Sequence, residues 1–303
     1  MHDRHWSSHG RDWHDGPKTK ARPGAKITYA SNILCEEAAP LAPRAQGDLR
    51  LAAKRRGEAT VIADLRTQGS LKALFPKVRG DALQAVFLNT AGGLTGGDAM
   101  TIDLAARTGA HVVVSSQAAE RAYRAQPGQV ARVDVRLDVA ARGRIDWLPQ
   151  ETILYDHAAI ARRMTVNLAP DATVLLVEPL IFGRVAMGET VDMLDFTDHW
   201  QVRRDGALIF ADALRLKGDA AALMARAGIG AGAGAVATLL LAGPAAAQTA
   251  SQIDLPPESG KSLIADDLLF LRLLAPDGFR LRKQLIPVIE ALTNAPIPRV
   301  WRL

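Results

Sequence analysis

The run Trp147-Leu148-Pro149-Gln150-Glu151-Thr152-Ile153-Leu154-Tyr155-Asp156 sets two tight polar clusters inside apolar, strand-like sequence. A charged glutamate in such a setting is costly unless it is paired or solvated. Glu178, inside Leu175–Leu180, poses the same problem, as does Glu189 after Gly183-Arg184-Val185-Ala186-Met187-Gly188. Two readings stay open. Arg121, Arg124 and Arg184 supply structural ion pairs to these acids, or the acids point inward and line a wet passage. A carboxylate-pair hydrolase using Glu151 and Asp156 as acid and base is an alternative. Residues five apart on one strand face opposite ways, so that pair needs a bulge or turn between its members.

Other motifs promise less. Glu258-Ser259-Gly260-Lys261-Ser262 matches the end of a phosphate-binding loop, but Leu255 stands where its first glycine belongs and Pro256-Pro257 remove backbone donors. Gly92-Gly93-Leu94-Thr95-Gly96-Gly97 follows a strand-like segment, yet an alternating strand follows it instead of the helix a dinucleotide site requires. It reads as a connection whose shape glycine dictates, with Asn89, Thr90, Thr95 and Asp98 able to bond its backbone. Four of the seven histidines, His2, His5, His9 and His14, lie near the start among Asp3, Asp12 and Asp15. Imidazole with carboxylate suits Ni²⁺ or Zn²⁺, but the segment reads as an incidental polar extension. His111, His157 and His199 are scattered, and Cys35 has no partner base nearby. No nucleophile–base pair assembles.

Composition narrows the class. The 303 residues are 48% hydrophobic and 23% charged, ordinary for a globular protein, and only 5% aromatic. The net charge of +5 divides into +3 over residues 1–26 and +2 over the rest. A near-neutral body with few aromatics lacks the basic stripe and stacking platform of a nucleic-acid binder. One cysteine excludes a disulfide framework and fits a reducing compartment, so a cytoplasmic protein is expected. The first fifteen residues show no secretory signal. Ala227–Ile253 is free of charge, but it is mostly Gly and Ala and is interrupted by Pro244; it reads as a loose loop leading into a buried strand.

The elements that must position these groups are mainly strands. Residues 1–26 are expected to be a disordered polar tail and residues 27–46 an extended lead-in. From Leu49 the dominant period is two: Val133, Val135, Leu137 and Val139 alternate with polar neighbours, as do Met100, Ile102 and Leu104. His111–Ser116, Thr173–Val177 and Thr238–Leu241 are apolar on both faces and read as central strands; Leu268–Leu274 is apolar almost throughout, so period does not choose between strand and helix, and Pro276 closing it after a few residues favours strand. Helical period is confined to Leu281, Leu285, Val288, Ile289 and Leu292, with Asp277 as N-cap and Pro287 as an objection, and to a short segment at Asp219–Ala227. The expectation is a mainly β, stacked-sheet, β-helix-like single domain over residues 27–303 with about two helices.

Four runs in register, Asn89–Asp98, Glu120-Arg121-Ala122-Tyr123-Arg124, Trp147–Asp156 and Gly183–Glu189, resemble the urease accessory protein UreD (UreH) family, and the similarity extends from about Leu49 to Pro298-Arg299-Val300-Trp301. The resemblance implies stacked strands, no catalysis, and partnership with UreF and the GTPase UreG on apo-urease. It also implies delivery of nickel in transit with no cofactor permanently bound. A broken phosphate loop suits a protein whose partner handles the nucleotide. On this basis the expected relay groups are Asp98, Glu151, Asp156, Glu178 and Glu189, with His157 as a borderline ligand. A scaffold of this kind also needs an exposed apolar patch somewhere.

Overall fold

Period-two alternation folds into two facing sheets. The computed structural model describes residues 43–78, 80–184 and 187–302. The expectations for the polar tail, most of the lead-in, the tail histidines and Cys35 fall outside these residues. In chain order the strands are β1 (Gln46–Arg56), β2 (Ala59–Gly69), β3 (Leu71–Leu74), β4 (Leu83–Asn89), β5 (Ala99–Ala106), β6 (His111–Ser116), β7 (Glu120–Ala122), β8 (Ala131–Val139) and β9 (Arg144–Leu148). They continue as β10 (Thr152–Leu154), β11 (Ala159–Leu168), β12 (Thr173–Phe182), β13 (Leu194–Arg204), β14 (Ala207–Gly218), β15 (Ala235–Ala242), β16 (Gly260–Ala265) and β17 (Leu268–Ala275). The helices are α1 (Ala220–Ala225), α2 (Ala246–Gln252) and α3 (Gly278–Thr293), and a 3-10 turn at Arg299–Arg302 follows.

From β4 to β13, the short β7 and β10 aside, the chain gives a strand alternately to each sheet, in solenoid-like coils. The first sheet runs β14-β13-β11-β8-β5-β1-β2 and the second β16-β17-β15-β12-β9-β6-β4-β3, with β7 and β10 added beside β12. The coils stack in parallel: β5 on β8 on β11 on β13, and β4 on β6 on β9 on β12. Antiparallel pairs finish the sheets, β1 with β2, β13 with β14 and β16 with β17.

The two kinds of strand pattern have different covers. The seven-stranded sheet packs one face on the other sheet and leaves the other wet, so β8 alternates Val135, Leu137 and Val139 inward with Asp134, Arg136 and Asp138. The ten-stranded sheet is covered on its second face by α2, α3 and the C-terminal turn, giving a separate core that includes Leu175, Val177, Leu239, Leu271, Leu285 and Trp301. Strands covered twice carry no polar period, which is why β12 and β15 read as continuous apolar runs.

The α3 stripe behaves as expected. Leu281, Leu285, Val288, Ile289 and Leu292 are all buried, and the Asp277 carboxylate accepts the Arg280 N–H at 2.7 Å as N-cap. The helix runs through Pro287, which lies on its exposed side, where the Lys283 carbonyl left without a donor can turn to water. The short helix at Asp219–Ala227 is α1, capped by Asp219. The charge-free stretch holds one element the sequence did not mark: after its glycine loop and buried β15 it forms α2, the third helix among the described residues where about two were expected. Its Ala-rich sequence favours helix, but seven residues are too few to show a period. The Glu258–Ser262 segment leads into the exposed edge strand β16, with no helix after it.

Candidate functional site

Between the sheets lies a cavity of about 120 Å³, mostly apolar, with Met100, Ile102, Val133, Val135 and Trp147 among its walls. Its polar groups include Glu120, Glu178, Asp198, Arg162, Asn89, Ser115 and Thr152. Alternation explains why charges reach it. On β12, Val174, Leu176, Leu180 and Phe182 face the first sheet, and Glu178 falls on that side of the same alternation. Asp198 shares its face of β13 with Phe196, Trp200 and Val202, and Arg162 shares its face of β11 with Ile160, Met164 and Val166. Arg162 and Asp198 are register partners on adjacent strands.

These three side chains form a buried triad across the sheets. Arg162 Nη1 donates to Glu178 Oε2 at 2.7 Å, and Nη2 bonds Asp198. Trp147 Nε1 donates to the other Glu178 oxygen at 2.7 Å, and Trp200 Nε1 to Asp198 at 3.2 Å. The buried Nε of Arg162 has no partner among the described residues. One arginine serves two carboxylates. Burial therefore pushes the Glu178 carboxyl up despite the arginine beside it, while the two acids outweigh burial and hold the Arg162 guanidinium up.

Glu120 is different. It has no arginine; Asn89 Nδ2 approaches both of its oxygens at 3.3 Å. Burial lifts its carboxyl to about 7. A carboxyl that holds its proton in the fold but loses it in the unfolded chain destabilises the fold as pH rises from about 4.5 to 7, with no further change above. Replacing Glu120 by Gln should remove a pH-dependent loss on the order of 2–3 kcal/mol. Urea denaturation from pH 5 to 8 checks this: the variant should overtake the wild type as pH rises, and parallel profiles would refute it.

The remaining acids singled out in the sequence occupy separate settings. Glu151 sits beside the cavity-lining Gln150 and Thr152, but its carboxylate takes Arg282 Nη1 of α3 at 2.9 and 3.1 Å. Asp98 is buried and holds the glycine turn, accepting the Ala45 N–H and the Thr95 N–H at 2.8 Å each. Asp156, His157 and Glu189 come together: Asp156 N–H donates to Glu189 at 3.2 Å, and His157 Nε2 lies 3.4 Å from the Asp156 carboxylate. Asp156 also takes Arg124 at 3.0 Å and the N–H groups of Asp192 and Met193. Arg184 chelates Glu189 at 2.7 and 3.3 Å and holds its carboxyl below the usual range. Arg184 thus makes the anticipated pair with Glu189, while Arg124 takes Asp156, Glu178 and Glu151 take Arg162 and Arg282, and Arg121 is within ion-pair distance of no carboxylate among the described residues. Among the described residues no three His, Cys, Asp or Glu side chains form a group that could hold a metal ion. The hydrolase pair is not favoured: Glu151 and Asp156 flank β10 and are bound to different partners.

The four motif runs converge at one end of the stack. Leu94 of the glycine turn bridges Ala122, β7 pairs in parallel with β10, and the Tyr123 hydroxyl donates to the Gly92 carbonyl at 3.1 Å. Gly93, at φ +151°, has no room for a Cβ, which would strike the Tyr123 ring. His111 faces the buried Asp146 at 2.7 Å and lies away from this cluster, in a separate cleft beside Thr293 and Pro298.

The class is therefore a two-sheet, solenoid-like protein with carboxylates in its interior and its motif residues gathered at one end. The family profile for the UreD urease accessory protein matches residues 45–302. A urease accessory protein UreD from Ruegeria sp. (strain TM1040) is 47% identical over 272 residues, which cover 86% of this chain and 91% of the relative. Those from Roseobacter denitrificans and Azorhizobium caulinodans are 45% and 44% identical, covering 89% and 88% of this chain and 100% and 99% of the relatives. The chain belongs to the UreD family of urease accessory proteins. No helix among its described residues is long and apolar enough to cross a membrane.

Proposed function

We propose that this chain is a non-catalytic part of a urease-activation assembly, working with UreF and the GTPase UreG on apo-urease to deliver nickel. Nickel is cargo here, not a resident cofactor, and a cytoplasmic location follows from the reading. The observation that carries it is a pair of buried carboxyl groups in a mostly apolar cavity, Glu178 and Asp198, which share the one guanidinium of Arg162. Two buried carboxyl groups on one guanidinium leave one of them short of counter-charge, and a passing divalent ion with its waters would offset that cost. Oxygen ligands also suit a conduit, since thiolates select and hold softer or tighter-binding metals.

In this proposal Glu178 and Asp198 are passage groups, joined by Glu120. Glu151 borders the passage. Asp156, His157 and Glu189 shape the loops at the end where the motif runs meet, and Asp98 fixes the glycine turn there. The test is reconstitution of urease activation with and without this chain, with nickel counted per active site. Full occupancy at the same rate in its absence would end the proposal.

A further inference from the structure

Strands β7 and β10 carry the ten-stranded sheet beyond the cover of α3. Arg121, Ile153 and Ile181 stand in one cross-strand row on β7, β10 and β12. The row starts under α3, because Gly278 lies so close to Ile181 that a Cβ there would strike it. It then runs into the open: Ile153 is half-buried and Arg121 exposed. Just past the ends of β7 and β10, two residues beyond Arg121 and Ile153, stand Tyr123 and Tyr155. Their rings pack edge to face at 5.2 Å, and the Arg184 guanidinium lies 4.2 Å over Tyr155.

The opposite rim is the flank of α3. Arg282 marks that flank by reaching Gln150 and Glu151, just before β10. Phe279, three residues earlier, is therefore on the same flank, and Lys283 is one turn beyond Phe279. Phe279 is 79% exposed, the most of the large apolar side chains among the described residues. The charge here also runs against helix stability. Apart from the Asp277 N-cap, the first turn of α3 contains no acid, and Arg280, Arg282 and Lys283 stand near the positive end of the helix dipole. Arg282 is satisfied by Glu151. Lys283, on the outer side of α3 next to Phe279, and Arg121 have no carboxylate within ion-pair distance among the described residues, and Arg280 stands on the opposite flank of the helix.

We propose that this face docks a partner protein through an acidic segment bearing an apolar anchor, which seats over Ile153 between Phe279 and the tyrosine pair. The inference rests on the reading that the chain works within an assembly, and adds where and by what chemistry a partner binds. Rigid aromatic and arginine side chains around a small apolar floor, bordered by two cations without acidic partners, are the make-up of a protein hot spot with an acidic complement.

The test measures the affinity of purified UreF, UreG and apo-urease, each in turn, for the full-length chain and for Phe279→Ala, Lys283→Glu and Arg121→Glu. All three positions are exposed, and thermal melts verify the fold. Arg136→Glu, on the wet face of the other sheet, is the control. One of the three proteins should bind the wild type and lose at least 30-fold with Phe279→Ala and with Lys283→Glu, with wild-type affinity falling as salt rises and the control unchanged. Retention of every affinity within threefold would overturn the docking face and leave the activation role intact if those variants still activate urease. A wild type that binds none of the three would overturn both. Variants that lose only binding to anionic phosphatidylglycerol vesicles, or only self-association, would likewise refute an acidic protein segment.

Discussion

Replacement of Arg162 by Met should destabilise the protein by about 3–5 kcal/mol, the cost of leaving buried acids without their counter-charge. Methionine keeps the length and the packing of the stem, so the loss reports charge and not volume. Glu178 and Asp198 would then face each other across the sheets with only the two indole N–H groups as donors. The deficit should shrink below neutral pH, because a carboxyl already pushed up by burial can take a proton and relieve the repulsion. Adding Glu178→Gln and Asp198→Asn should recover most of the stability. Urea denaturation at pH 5.5 and 8 measures all three effects. A loss under about 1 kcal/mol would mean that the triad is well hydrated and that its arginine is not structurally required.

Much of this site is legible in the sequence, and the rest depends on register. The alternation of β5 and β8 gave the two-faced strands, and continuous apolar runs marked β12 and β15 as covered twice. Glu178 stood out as an acid in an apolar run. Arg162 and Asp198 were equally readable in principle, since each occupies an inward step of a clear period-two pattern, but isolated charges in alternating strands look like wet-face residues until the register is known. Glu120 carried no signal of its own, because β7 has three residues and three residues show no period. The partner of Glu151 is 131 residues away on α3, a distance no local pattern spans. The four motif runs were visible as separate segments. Only the parallel stacking of coils brings them to one end, where Tyr123, Gly92 and Gly93 touch and the Asp156 loop folds onto Glu189.

The central claim is that nickel passes between the sheets, and it predicts a large effect from a small obstruction. Val133 of β8 lines the cavity and stands in register with Arg162 on one side and Met100 on the other. Val133→Phe puts a ring beside the triad at a packing cost of about 1–3 kcal/mol, which the fold should survive. Glu178→Gln keeps the shape and removes the charge. Both changes leave the outer faces untouched, so the variants should assemble with UreF, UreG and apo-urease as the wild type does. The decisive measurement is nickel per urease active site after activation by assembled complexes containing Val133→Phe. The account predicts at least a tenfold drop in the initial rate of nickel incorporation, and wild-type incorporation by an intact complex with the cavity filled would contradict it.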